Sequence, residues 1–224
     1  MKDDRTWQGV VPWIYGKVPA FRSRRFSRFL AEFNPIGKEK IIDLGGEPEF
    51  WKKSTIELEV HCVNLDKLEF IQDEYLVKIK TSAGDCCDLA DEKDNSYDIV
   101  FSNSVIEHVG DLQKQKLFAQ NALRLGQKLW IQTPAKYFPI EPHWFALFIH
   151  WFPKKYQYSL FRLFALRQRF AGVKLSKEEI KAQVDDVRLM TKSELKDMFP
   201  GCRIITERFF LFPKSYIVVK GGKS

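Results

Sequence analysis

From Lys40 onward the chain alternates short β-branched or aromatic runs with polar and helical stretches, and that alternation constrains its fold more than any other feature. "KIIDL", "ELEVHCVNL", "YLVKIK", "SYDIVFSN" and "QKLWIQT" read as strands. Between the last two, "DLQKQKLFAQNALRL" has the apolar spacing of an amphipathic helix and ends at Gly126, which is expected to be its C′ glycine. Strands that alternate with helices are expected to lie parallel. The chain then closes with "CRIITERFFLF" and "KSYIVVK", joined through Pro213. That separation is too short for a crossover, so these two runs are expected to form an antiparallel hairpin. The expected fold class is α/β: a mostly parallel seven-stranded sheet with helices on both faces and an antiparallel C-terminal β-hairpin.

With 224 residues, the chain is expected to be one domain, 1–224, in four parts. Residues 1–35 form a helical cap, with Phe21, Phe26, Phe29 (or Leu30) and Phe33 at helical spacing. Residues 40–134 carry the alternating core, and 190–220 a helix plus the terminal hairpin. Residues 137–185 interrupt the alternation after the fifth strand. Tyr137 to Phe170 holds 12 of the 32 aromatic residues, with five Lys/Arg against the single acid Glu141, and reads as a helical insertion. Two capping boxes, "SKEE" at Ser176–Glu179 and "TKSE" at Thr191–Glu194, each open a helix.

The net charge of +7 suits an anionic partner such as nucleic acid, a membrane surface or a phosphorylated substrate, and solvated lysines explain it equally well. Cys62, Cys86, Cys87 and Cys202 show no CxxC or Cys/His ligand spacing, so reduced thiols, a cytoplasmic location and no metal are expected. The start "MKDDRTWQGVVPW" lacks the apolar stretch of a signal peptide, and no run approaches the roughly 20 apolar residues of a spanning helix.

In a sheet of this kind ligands sit at the carboxyl ends of the strands, which selects the loops after "IIDL", "HCVNL", "KIK", "IVFS" and "WIQT". In the first, Gly45 and Gly46 let the backbone turn sharply and bring its N–H groups near a ligand. A pyrophosphate cradle needs G-x-G-x-x-G, whereas Glu47 and Glu49 put negative charge where phosphates would lie. A dinucleotide is disfavoured. S-adenosylmethionine, with its ammonium and sulfonium charges, fits better. A tight turn without ligand is the plain alternative.

These residues resemble the class I S-adenosylmethionine-dependent methyltransferases, in particular the small bacterial type-11-like members, over roughly residues 40–134. "IIDLGGEPEF" is similar to the family's glycine motif, with Glu47 where the second motif glycine falls. "AGDCCDLADEKDNSYDIVFSNSVIEHVGD" is the more specific match. The resemblance implies a Rossmann-like fold and S-adenosylmethionine as cofactor. It implies that Asp43, Gly45 and Gly46 shape the floor under the methionine part, and that Asp85 meets the adenine amino group with Cys86 beside it. Ser102 and Asn103 would line the methyl end. The family's ribose-binding acid at the end of the second strand is replaced by Asn64, with Asp66 two residues later. A neutral amide binds a diol less strongly than a carboxylate does.

Methyl transfer needs alignment and a deprotonated acceptor. In "TPAKYFPIEPHWF" two prolines stiffen a loop presenting His143, the first candidate for a general base; His150 is the alternative. His108, with Glu107, is a second acid–base candidate, against the plainer reading that the pair orients the following helix. Packed structural residues remain the alternative for each histidine. The aromatic, basic segment 137–170 suits an acceptor pocket and lid, and suits peripheral contact with a membrane surface as well.

The expected activity is O-methylation of a small molecule, and resemblance to surface-glycan enzymes suggests a saccharide or lipid-linked sugar. No nucleic-acid partner is expected, because "SNSVIEH" lacks the N-P-P-[YF] motif of base methylation. A catalytically silent scaffold of the same fold stays open through Asn64 and Glu47. An RNA methyltransferase is less favoured, and a nicotinamide enzyme least. The sequence leaves the oligomeric state open.

Overall fold

A computed structural model describes residues 18–70, 76–141, 143–144, 146–164 and 175–223, with only the backbone of 18–22, 162 and 164. Parts of the N-terminal cap and of the 137–185 insertion, including Phe21 and residues 165–174, therefore lie outside the described residues.

Five strands are parallel: β1 (Lys40–Leu44), β2 (Leu58–Asn64), β3 (Val77–Ala83), β4 (Tyr97–Asn103) and β5 (Gly126–Pro134). After two short strands in the insertion, β6 (Ile140–Glu141) and β7 (Ala146–Leu147), the chain returns as β8 (Arg203–Phe209) and β9 (Phe212–Lys220). The main sheet runs β3-β2-β1-β4-β5-β9-β8, with β9 antiparallel to both neighbours. The expected seven-stranded sheet and its antiparallel finish are both present. The hairpin turn falls at Phe210–Leu211 rather than at Pro213, which sits inside β9 opposite Arg208 beside a register shift.

Near-continuous apolar runs form the central strands because both faces are covered. On one face, Ile42, Leu44, Val100, Leu129, Ile131 and Val218 pack under α3 (Leu112–Leu125) and α6 (Lys192–Met198). On the other, Ile41, Phe101, Trp130, Ile217 and Val219 meet Phe26, Phe29 and Phe33 of α1 (Val18–Phe33) and Trp51 of the short α2 (Pro48–Trp51). These phenylalanines, three and four residues apart, form the buried stripe of α1, and Phe29 meets Phe101 and Trp130 edge to face. A third cluster holds the insertion together: Trp144, Ile149 and Phe161 of α4 (Lys154–Phe164) pack on Ile180 and Val184 of α5 (Lys177–Asp185). Both expected capping boxes are complete at Ser176 and Thr191.

Gly126 corrects an expectation. It is extended (φ −150°) and begins β5 directly, so it is no left-handed C′ residue. A Cβ there would stand 2.8 Å from Val100 Cγ2 and 3.1 Å from the Tyr97 carbonyl. Close approach of two strands explains this glycine. None of the described helices is long and apolar enough to cross a membrane.

Candidate active site

The strand order reverses between β1 and β4, so their carboxyl ends open a crevice in which ligands of such sheets bind. The loop after β1 turns at Gly45, whose φ of +74° lies in the left-handed region. A Cβ on Gly45 would meet Val105 at 2.5 Å, and one on Gly46 would meet the Asp43 carboxylate at 2.1 Å. Gly45 is therefore required by contact as well as by conformation, and Gly46 by contact. Across the crevice Ser104 also has positive φ (+59°), held by its hydroxyl on Gln132 Oε1 at 2.9 Å. Strain at a site of this kind persists because the surrounding bonds fix it.

Two adjoining cavities share Gly45, Ser104 and Val105. The larger, about 450 Å³, is also lined by Asn64, Asp66, Gly84, Asp85, Cys86 and His108. The smaller, about 150 Å³, is lined by Asp43, Gly46, Glu47, Phe50, Phe101 and Asn103. Of the candidates named from sequence, Asp43, Gly45, Gly46, Asn64, Asp66, Asp85, Cys86, Asn103 and His108 line one or the other, and Ser102, Glu107, His143 and His150 line neither. Ser102 is fully buried and donates to the Leu44 carbonyl at 2.8 Å, so it ties β4 to β1 instead of facing the crevice.

Asn64 is engaged by the protein itself. Its Nδ2 donates to the Gly46 carbonyl at 2.7 Å, bracing the glycine loop, and a carboxylate at this position would repel that carbonyl. Asp85 accepts from the Cys87 N–H at 2.8 Å, which together with the Lys114 charge holds its carboxyl below the usual range. Asp43 is wholly buried. Trp51 Nε1 donates to Oδ2 at 2.7 Å, while Oδ1 has no hydrogen-bond partner. Burial pushes its pKa up to about 8, opposed by the Trp51 bond and reinforced by the Glu47 charge.

At the far side of the larger cavity the structure brings His108 and His143 together, Nε2 to Nε2 at 3.0 Å with the rings edge to face. His108 Nδ1 faces Asp186 Oδ2 at 2.9 Å, and His143 Nδ1 faces the buried Glu141 Oε1 at 2.5 Å. Arg188 N–H to the Glu107 carbonyl and Lys136 N–H to the Met190 carbonyl bring the stretch after α5 against the β4 and β5 exits, which delivers Asp186. Burial pulls the His143 pKa down, and the Glu141 hydrogen bond and charge more than reverse it, leaving it above the ordinary value. Glu107 is also fully buried. Thr133 donates to its Oε2, and Oε1 has no hydrogen-bond partner. Burial raises its pKa against the pull of the two imidazoles. His150 stands apart, facing the Phe138 carbonyl at 2.8 Å through Nε2.

Sequence reading missed Arg25, Gln132, Asp186 and the supporting role of Glu141. Arg25 reaches from α1 to Glu207, Asn103, Gln132 and Ser215, closing the crevice from the other face. Its one signal is a basic residue on an otherwise apolar helix stripe.

Comparison of the sequence with family models and with curated proteins gives no match. Solved structures do match. A SAM dependent methyltransferase from Archaeoglobus fulgidus aligns with a TM-score of 0.53 at 12% identity, over 92% of this chain and 94% of that one. A chain from the complex of the Haloferax volcanii Trm112 methyltransferase activator with a methyltransferase aligns at 0.52 and 11% identity, over 98% of both. The small RNA methyltransferase HEN1 aligns at 0.53 and 12% identity, over 91% of this chain and 26% of that one. The fold of this chain is that of the class I S-adenosylmethionine-dependent methyltransferases.

Proposed function

We propose that this chain binds S-adenosylmethionine in the paired cavities and methylates a hydroxyl of a small molecule, a saccharide or lipid-linked sugar. The observation that carries the reading is the convergence of Asn64, Asp66, Asp85 and Cys86 on one cavity that adjoins a second one floored by Asp43. The cofactor fits what the residues offer. The unpartnered Asp43 oxygen suits an ammonium group, and the Asp85 carboxylate suits an exocyclic amine. With Asn64 engaged by Gly46, Asp66 is the group left for the ribose hydroxyls. When bound, S-adenosylmethionine supplies an electrophilic methyl group on a sulfonium sulfur.

The acceptor hydroxyl is made nucleophilic at the His108–His143 pair, each ring held in orientation by a carboxylate behind it. Glu141 also lines a third cavity of about 320 Å³ under the insertion, with Trp144, Trp151, Lys136 and Lys154. Indole faces and cations suit a sugar ring bearing phosphate or carboxylate. Exposed Phe148, Trp151, Phe152 and Tyr156 beside Lys155 suit approach to a lipid carrier at a membrane surface. The +7 charge favours a second reading in which the acceptor is RNA. Incubation with methyl-labelled cofactor and parallel panels of sugars, lipid-linked sugars and RNA separates them. Label in a glycan fraction supports the saccharide, label in RNA supports the second reading, and label in neither with intact cofactor binding removes both.

A further inference from the structure

His108 and His143 present a problem that a proton or a cation must solve. A carboxylate, Asp186 or Glu141, faces each Nδ1, and an Nδ1–H donated to it leaves a lone pair on the Nε2 of each neutral ring. Those two lone pairs face each other at 3.0 Å. Glu107 adds a third electron-rich atom, since its Oε1 is fully buried and unpartnered, and the three ligand atoms lie within 4.8 Å of one another. A carboxylate behind each imidazole is the arrangement that orients metal-ligating histidines.

We propose that Glu107, His108 and His143 form a binding site for one divalent transition-metal ion, with a position left open for an oxygen of the acceptor. Two imidazoles and one carboxylate are the donors of three-ligand catalytic sites, and nitrogen donors favour Zn²⁺ or Co²⁺ over Mg²⁺ and Ca²⁺, which prefer all-oxygen ligation. Metal–nitrogen bonds of about 2.0–2.1 Å set ligand atoms roughly 3.3 Å apart, so the histidines separate by a few tenths of an ångström and Glu107 closes in. The ion supplies the positive charge that the buried Oε1 lacks. Sequence spacing hid the site, because His143 lies 35 residues from His108 and Asp186 lies 78 away.

The role of the ion rests on the methyltransferase reading and refines it: with both Nε2 atoms on the ion, the ion instead of an imidazole holds the acceptor hydroxyl and lowers its pKa, and the proton leaves to solvent. The ion's binding does not depend on that reading. The test is titration of tag-free, chelator-stripped protein with Co²⁺, followed by visible d–d absorption and by competition with Zn²⁺. S-adenosylhomocysteine binding is measured by calorimetry on the same samples. One equivalent of Co²⁺ displaced by Zn²⁺ is expected. His143→Ala should abolish the band and also lower the thermal midpoint, because it takes a donor from the buried Glu141. Asp186→Asn should weaken affinity about 10–100-fold with the thermal midpoint near wild type, and S-adenosylhomocysteine binding should survive in both. His108→Ala repeats the test on a partly exposed ligand. Absence of a band, binding that survives His143→Ala, intense near-ultraviolet thiolate bands, or a response to Mg²⁺ alone would each overturn the proposal. Cobalt binding without S-adenosylhomocysteine binding supports the metal site and counts against the methyltransferase reading; the reverse result removes the metal alone.

Discussion

Asp43 illustrates how much one residue carries in this crevice. It lies one residue from the end of the buried strand β1, takes the Trp51 indole N–H on one oxygen and keeps the other unpartnered. Trp51→Phe leaves both oxygens without a donor, and the expected loss is about 1–3 kcal/mol, read by denaturant unfolding without ligand. The raised Asp43 pKa also sets a sign for pH. In the folded state the carboxyl titrates near 8 rather than near 3.8, so the native protein holds more protons than the unfolded chain between those values. This contribution is full below the unfolded pKa and is lost as pH rises toward 8. Asp43→Asn is expected to remove that decline, so the thermal midpoint of the variant relative to wild type rises from pH 5 to pH 8. A flat difference would show that Asp43 titrates normally. Gly45→Ala combines a positive φ with a 2.5 Å approach to Val105, and is expected to weaken cofactor binding as well as stability.

At the scale of elements, α1 is both a wall of the core and a clasp on the site. Phe29 is fully buried among aromatic rings, and Phe29→Ala should cost about 3–5 kcal/mol. Arg25→Lys is the sharper probe, since one ammonium cannot reproduce a guanidinium fork spanning Glu207, Gln132 and Ser215. It should lower stability nearly as much as Arg25→Ala, and stability equal to wild type would contradict the clasp. Sequence pattern revealed α1, both capping boxes and every strand of the main sheet because each is governed by local periodicity or by a short spacing rule. Ser176→Ala and Thr191→Ala should accordingly cost about 1 kcal/mol each. Gly126 and Pro213 were misplaced for the opposite reason. What decides them is contact with Val100 and a register shift beside Arg208, and neither leaves a local trace.

For the whole molecule, the reversal of strand order between β1 and β4 assembles the site from segments far apart in the chain. The grouping of Asn64, Asp85 and Cys86 on one cavity was legible because these residues sit at strand ends in a recognisable run. Ser102 was misjudged because a strand-end serine can face either way, and here it faces Leu44. The imidazole pair was only half legible. His108 and His143 could be named singly, but their meeting depends on how the insertion folds back over β5. The most direct measurement is calorimetric titration of the protein with S-adenosylmethionine and S-adenosylhomocysteine, repeated on Asp85→Ala. Micromolar binding of both by the wild type and a loss of at least tenfold in the variant are expected. Absence of binding by folded wild-type protein, or affinity unchanged in Asp85→Ala, would contradict the cofactor assignment.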